Sequence, residues 1–355
     1  MERVKKFIEE NEYVDWQDEH YRTSLHIASA MKDRLEIAEF LIQNDACLNF
    51  GHYVPLPIMI AADCFNSKMI DLLAKYRTEI NIYTEENLHI LEHMIEKYGS
   101  DPDTKSQYLE TVEALCIAGA DPCASSNATY NRANTSAILT ALDKLDLPLF
   151  TIFTSHTKNI RKIRGNQGET LLHLICNCVY NNEEEEITLY QMACILVTNS
   201  LVDIMARDEQ GNTSLHLAAG SGMTNMIKLL IMYGADLEQC NNDGFPPLFM
   251  ALIFRQLRSA MFLVKKGAKS NFIVTSKGQT FLHYLYDIQT KKNPLYVPRV
   301  NDMSEIEPLA DFCIYEIGIK DSALDKAAKT ARDYAVSNNL VKYYPSARPV
   351  KRLYM

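Results

Sequence analysis

The sequence predicts an all-α solenoid of paired antiparallel helices separated by turns. Three observations carry this. The four residues Thr-Ser-Leu-His stand at 23–26 and again at 213–216. Aligned on the residue after that threonine, similar segments start at Ser24, Pro57, Asn87, Ser136, Leu171, Ser214, Pro247, Phe281 and Ala331. Their spacings are 33, 30, 49, 35, 43, 33, 34 and 50, so three lie within one residue of 33 and most others are longer, as insertions would make them. Self-similarity at such a period marks a stacked repeat architecture. Each regular copy also holds two short helical patterns and a turn, too little to bury a core without its neighbours.

The copy at 213–245 justifies the elements in order. Thr213 precedes an apolar run, where its hydroxyl can cap the open N–H groups of a helix start. LHLAAGSG then reads as a short first helix whose alanines permit close approach to a neighbour. MTNMIKLLIMYG places Met226, Ile227, Leu229, Leu230 and Met232 at helical spacing. Gly234 supplies the left-handed residue that stops this second helix. Asp243-Gly244 is a tight-turn signal before the next copy.

Composition narrows the function classes. The chain has 355 residues, 47% of them hydrophobic, and a formal net charge of −9. Such an acidic chain is not drawn to phosphate backbones or anionic lipid, so no nucleic-acid partner is expected. The start, MERVKKFIEENEYVDW, lacks an apolar signal core, and no window approaches the ~20 apolar residues of a membrane span. Nine cysteines, an odd number without a framework spacing, fit a reduced, cytoplasmic environment. Export by a route that needs no N-terminal signal stays open.

The 33-residue unit with T-P-L-H-like starts and G-A-D ends resembles the ankyrin repeat family. The matching stretches are TSLHIAS (23–29), LPIMIAAD (56–63), GETLLHLI (168–175), GNTSLHLAAGSG (211–222), DGFPPLFMAL (243–252) and GQTFLHYL (278–285). The helix-ending GADP (119–122), GADL (234–237) and GAK (267–269) complete the pattern. The reading is nine repeats over 12–340, an N-terminal helical cap at 1–11 and a C-terminal tail at 341–355. Repeats three and four are degenerate and rest on register. The resemblance implies β-turn fingers between repeats and a concave surface of finger tips and first helices that binds partner proteins.

Three repeats carry extra residues near 96–107, 180–189 and 288–305. Each insert falls between the two helices of its repeat, so each is expected on the rim opposite the fingers. Inserts grouped on one face often mark a binding face, and surface loops also simply tolerate insertion.

Five of the nine histidines, His26, His89, His173, His216 and His283, are assigned to the fourth position of the T-P-L-H-like start. The resemblance implies a structural role for them, hydrogen-bonding across neighbouring turns. The stretch HILEH (89–93) also reads H-x-x-E-H, the order found in inverted zinc peptidases. His89 and His93 would clamp zinc from one helix face, with Glu92 as general base, although no third ligand is marked. Cys176 and Cys178 of CNC diverge around a helix and read as small apolar core residues. No phosphate loop, serine elbow or paired C-x-x-C is found. A Cys–His nucleophile pair brought together only in space stays open.

Partner contacts are expected on the early fingers. The first holds Trp16, His20 and Tyr21, the second Phe50, His52 and Tyr53, and the third Tyr83. Aromatic side chains are common interface anchors, while finger-on-finger packing would use them equally well. The finger at 158–168 adds Arg161, Lys162 and Arg164, and the run EEEE at 183–186 is of opposite charge. The tail YYPSARPVKRLYM is either a docking motif or a cover for the last helix pair.

The chain is therefore expected to be a monomeric, non-catalytic interaction scaffold without a cofactor. A protein of an intracellular pathogen acting on a host protein is compatible with its composition. The competing reading is a hydrolase, with zinc at His89, Glu92 and His93 or with a Cys–His pair.

Overall fold

The computed structural model describes Lys6, residues 13–51, 54–99, 101–126, 135–157, 160–270, 278–287 and 306–338, and Pro345. The proposed cap (but for Lys6), the insert at 288–305, His52, Tyr53 and the tail (but for Pro345) lie outside the described residues. The chain forms two compact units, Met1–Lys162 and Ile163–Met355.

In the N-terminal unit the fully described helices come in four pairs. They are α1 (Ser24–Ser29) with α2 (Leu35–Gln43), and α3 (Pro57–Asp63) with α4 (Ser67–Lys75). Next come α5 (Ile90–Tyr98) with α6 (Lys105–Ala118), and α7 (Ala137–Asp143) with α8 (Leu147–His156). A 3-10 turn, Ile160–Lys162, ends the unit. The fourth finger carries a two-residue antiparallel ladder, β1 (Ser125–Ser126) with β2 (Thr135–Ser136).

The C-terminal unit repeats the plan. Its pairs are α9 (Leu171–Asn177) with α10 (Glu183–Thr198), α11 (Ser214–Ser221) with α12 (Thr224–Met232), and α13 (Pro247–Ile253) with α14 (Leu257–Lys265). After α15 (Phe281–Tyr286), α16 (Ile306–Asp311) runs into a π turn at Phe312–Glu316, and α17 (Ala331–Ser337) follows.

Packing follows from small residues on the first helices. Ala28, Ala61, Ala62, Ala141, Ala218, Ala219 and Ala251 are all buried. They let first helix approach first helix, as α1 does α3 and α11 does α13. Leucine, isoleucine and methionine from the second helices (Leu41, Ile70, Leu115, Ile227, Leu263) close the core behind them.

Seven of the nine sequence anchors are the first residues of their helices. Ser136 precedes α7 by one residue as its N-cap. Asn87 is a real displacement: it sits in a turn at φ 58°, and α5 starts at Ile90 with His89 as N-cap. Starting at Ile90 restores a spacing of 33 from Pro57, so this repeat begins on register and the insertion lies wholly inside it.

The two inserts that can be followed depart from the expected loops. Regular second helices such as α4 and α12 have 9 residues, whereas α6 has 14 and α10 has 16. Much of the added chain therefore extends the second helices, by roughly 7–10 Å at 1.5 Å per residue. For α10 the cause is local. Asn182 Oδ1 accepts the Glu185 N–H at 2.9 Å, and the Glu185 carboxylate accepts the Asn181 N–H at 2.8 Å. Glu183–Glu186 occupy the first turn, where the helix dipole favours negative charge.

Candidate partner-binding surface

All five histidines expected to be structural are buried; four share a threonine cap, and three of these also bond across to the next repeat. At His216, Nδ1 accepts the Thr213 N–H at 3.1 Å and lies 2.9 Å from the Thr213 hydroxyl. With Nδ1 accepting, Nε2 carries the proton and donates to the Phe245 carbonyl of the next repeat at 3.0 Å. His173 donates likewise to Asn212 and His283 to Lys329. Burial holds His216 down to about 4, so the ring is neutral at physiological pH. His26 makes the same bonds to Thr23, but its Nε2 has no partner at close hydrogen-bond geometry, only the Phe50 carbonyl of the next finger nearby. The ring of Phe50 stands edge-on to this imidazole at 6.5 Å.

His89 is the exception. It caps α5 from an extended backbone, its Nδ1 accepting the Leu91 N–H and its Nε2 3.1 Å from Asn81 Oδ1. His93 Nε2 turns instead to Asp63 on α3, at 2.9 Å. The HILEH histidines thus belong to different hydrogen-bond sets and do not form the i,i+4 helical clamp. Among the described residues no three His, Cys, Asp or Glu side chains converge as a metal set would. Cys176 is fully buried, and burial raises its thiol well above the usual range. Burial pushes the Cys116 thiol up to about 12. Both thiols are held protonated, which suits core residues rather than nucleophiles.

Finger turns share one backbone plan with two different fillings. In the C-terminal unit Asp208 N–H donates to Asn212 O, and Gly211 N–H to Asp208 O. The turn before α13 repeats this with Asn241, Phe245 and Gly244. The left-handed position, three residues before the helix, holds Gly168, Gly211, Gly244 and Gly278. Neighbouring tips are stitched backbone to backbone, Glu209 N–H to Gln167 O at 2.9 Å and Asn242 N–H to Gln210 O at 3.0 Å. A Cβ on Gly211 would come within 2.3 Å of Asn242 Oδ1. Glycine suits the backbone conformation there, and a larger residue would displace the Asn242 and Arg207 side-chain ends.

In the N-terminal unit the same turn closes with other residues. Asp18 N–H donates to Arg22 O and Tyr21 N–H to Asp18 O. Tyr21 therefore holds the glycine position, at φ 62°, as Asn87 does in the third finger at φ 58°. Asparagine tolerates this region, whereas a bulky aromatic residue there is an outlier. Among the described residues no backbone–backbone bonds join fingers one to three. Side chains tie their bases instead. Asp15 accepts the Cys47 N–H, Asn49 the Glu79 N–H and Asn81 the Asp121 N–H.

On this edge Trp16 is 59% exposed, Tyr21 55% and Tyr83 49%. Tyr13, not singled out from the sequence, is 54% exposed and meets Trp16 edge-on at 6.4 Å. Tyr83 meets His89 at 5.5 Å while half its surface stays open. Phe50 is half-buried against His26, the finger-packing role rather than an open anchor. His20 is exposed, 3.7 Å from Glu19. Arg161 and Lys162 lie exposed on the 3-10 turn ending the first unit. Arg164, which opens the second, is exposed and donates to the Ile163 carbonyl.

Comparison with known proteins agrees with this architecture. A model of three ankyrin repeats matches residues 141–239 and 188–274, and a single-repeat ankyrin model matches 20–52. The chain is 30% identical over 117 residues to the B-cell lymphoma 3 protein homolog of Mus musculus, covering 33% of this chain and 25% of that one. It is 27% identical over 154 residues to human Rabankyrin-5, 41% of this chain and 12% of that protein. It is 32% identical over 103 residues to palmitoyltransferase AKR1 of Saccharomyces cerevisiae, 29% of this chain and 13% of the enzyme. In each case the chain spans a quarter or less of its relative. No helix among the described residues is long and apolar enough to cross a membrane. The repeat period, the Thr–His caps, the finger turns and the matching family models together show that the chain belongs to the ankyrin repeat family.

Proposed function

We propose that the chain is a non-catalytic protein-interaction scaffold whose main contact surface is the finger edge of repeats one to three. The observation that carries this reading is Tyr21. It places an exposed aromatic ring on a left-handed residue where four other repeats have glycine. Such a backbone costs on the order of 1 kcal/mol for a bulky residue, and strain of this kind clusters at functional positions. Trp16 and Tyr83 extend the exposed aromatic surface to either side, with His20 at its margin. The exposed cations Arg161, Lys162 and Arg164 are a secondary contact region in this reading.

Photo-crosslinking tests it. A benzophenone side chain at position 83 is expected to capture a discrete partner from extract of the source cells. The same group at Met232, which is 71% exposed on α12, is expected to capture none. Equal capture at both positions, or none at 83, would overturn the assignment of this edge.

A further inference from the structure

We propose that the finger edge of repeats one to three receives an extended, arginine- or lysine-bearing segment of a protein partner. The inference rests on the interaction reading above and names the chemistry of the partner.

Three features of the edge point to a cation. First, Trp16, Phe50 and Tyr83 stand seven or eight residues before the first helices of successive repeats, at Ser24, Pro57 and Ile90. The ties from Asp15 to Cys47 and from Asn49 to Glu79 hold these fingers in sequence. With helices packing about 8–10 Å apart, Trp16 and Tyr83 lie roughly 20 Å from each other. An extended segment of about six residues spans that distance. Indole and phenol faces attract guanidinium and ammonium groups.

Second, the carboxylates between and beside the rings are open. Glu19 has 88% of its side chain exposed, and Glu79, Glu85 and Glu86 are exposed as well. Among the described residues of the edge the lysine and arginine side chains are Arg22 and Arg77. Arg22 is already held by Asp18, Nε and Nη2 donating to Oδ2 at 2.9 and 2.8 Å. The edge is thus acidic, and an acidic or phosphorylated segment would be repelled.

Third, the described part of this edge is polar rather than a closed apolar surface. The rings stand on a polar rim with carboxylates among them. An aliphatic helix would want a continuous apolar groove, which this rim does not offer. Aromatic faces interleaved with carboxylates match alternating cations on a strand-like chain.

The test uses the full chain and a fluorescein-labelled decapeptide of alternating arginine and serine, read by fluorescence anisotropy. A glutamate-serine peptide serves as the control. The arginine peptide is expected to bind and the control not. Trp16→Ala with Tyr83→Ala is expected to weaken binding at least about tenfold. Trp16→Phe with Tyr83→Phe should keep most of it, which guards against a loss through misfolding. Glu85→Gln with Glu86→Gln is expected to weaken binding severalfold. Glu183→Gln with Glu184→Gln, on the acidic turn of α10, should leave it unchanged. The proposal is overturned if the arginine peptide does not bind, if the aromatic variants bind as well as the parent, or if the α10 variant loses as much. Partner capture at position 83 with no binding of the arginine peptide would sink the basic-segment inference alone. Failure of both experiments would remove the interaction reading with it.

Discussion

The C-terminal and N-terminal units build the same repeat with different finger edges. In the C-terminal unit, four of the five fingers have glycine at the left-handed position and the last has Ala328 at φ 55°, and backbone bonds run from Gln167 through Glu209 and Gln210 to Asn242. Its buried imidazoles each reach the next repeat through Nε2. In the N-terminal unit Tyr21 stands in the glycine position, side chains tie the finger bases, and His26 Nε2 makes no close cross-repeat bond. Aromatic rings and carboxylates stand open there instead. The near-consensus edge is stitched through its backbone, while on the divergent edge the bonds between finger bases come from side chains.

Acid is expected to produce the largest change, and in both units. Burial depresses His89 and His216 alike to about 4, against 6.5 for a free imidazole. The unfolded chain then binds more protons than the folded one as pH falls below 6.5. Stability is therefore full above pH 6.5 and drains away as pH is lowered toward 4. Each histidine accounts for on the order of 2 kcal/mol between pH 7.5 and pH 5. Urea midpoints flat across that range would contradict the assigned neutral, buried state.

Next comes the histidine ladder itself. His216→Ala strands the Thr213 N–H and the Phe245 carbonyl and leaves a cavity, a loss of about 3 kcal/mol. His26→Ala is expected to cost about 1 kcal/mol less, because its Nε2 makes no close cross-repeat bond. Equal losses in urea unfolding would mean that the two ladders do not differ. Gly211→Ala should cost about 2 kcal/mol, from φ 77° together with the close approach of Asn242. A neutral result by calorimetry would break the claim that finger tips here are packed to contact. The smallest effect concerns α10. Glu184→Lys reverses charge in its first turn and should lower stability by about 0.5 kcal/mol at low salt. No change would favour the loop originally expected there.

How much of this was legible in the residues varies by element. Seven helix starts could be read from the threonine caps and apolar spacing because each repeat makes the same local bonds. Asn87 was misplaced because its turn, with Asn-Leu-His, imitates the T-P-L-H start, and the true cap is His89 itself. The charged run hides the α10 extension, although Asn182 followed by Glu185 is a helix-start signal visible in the sequence. The aromatic character of Tyr21 is plain in the sequence, whereas its backbone strain is not. Its register against Gly168, Gly211, Gly244 and Gly278 held that information. Tyr13 had no such signal, since its exposure depends on how the chain enters the first finger. Nor could Phe50 be told from Trp16 or Tyr83, because burial against His26 is a matter of packing.

Tyr21→Gly addresses the central claim most directly, with stability and partner capture measured on the same preparation. Glycine relaxes the left-handed backbone, so the urea midpoint is expected to stay level or rise by up to about 1 kcal/mol in stability. Capture of the partner is expected to fall sharply. A marked loss of stability with capture intact would show that Tyr21 serves the fold and that the open edge is not the binding surface.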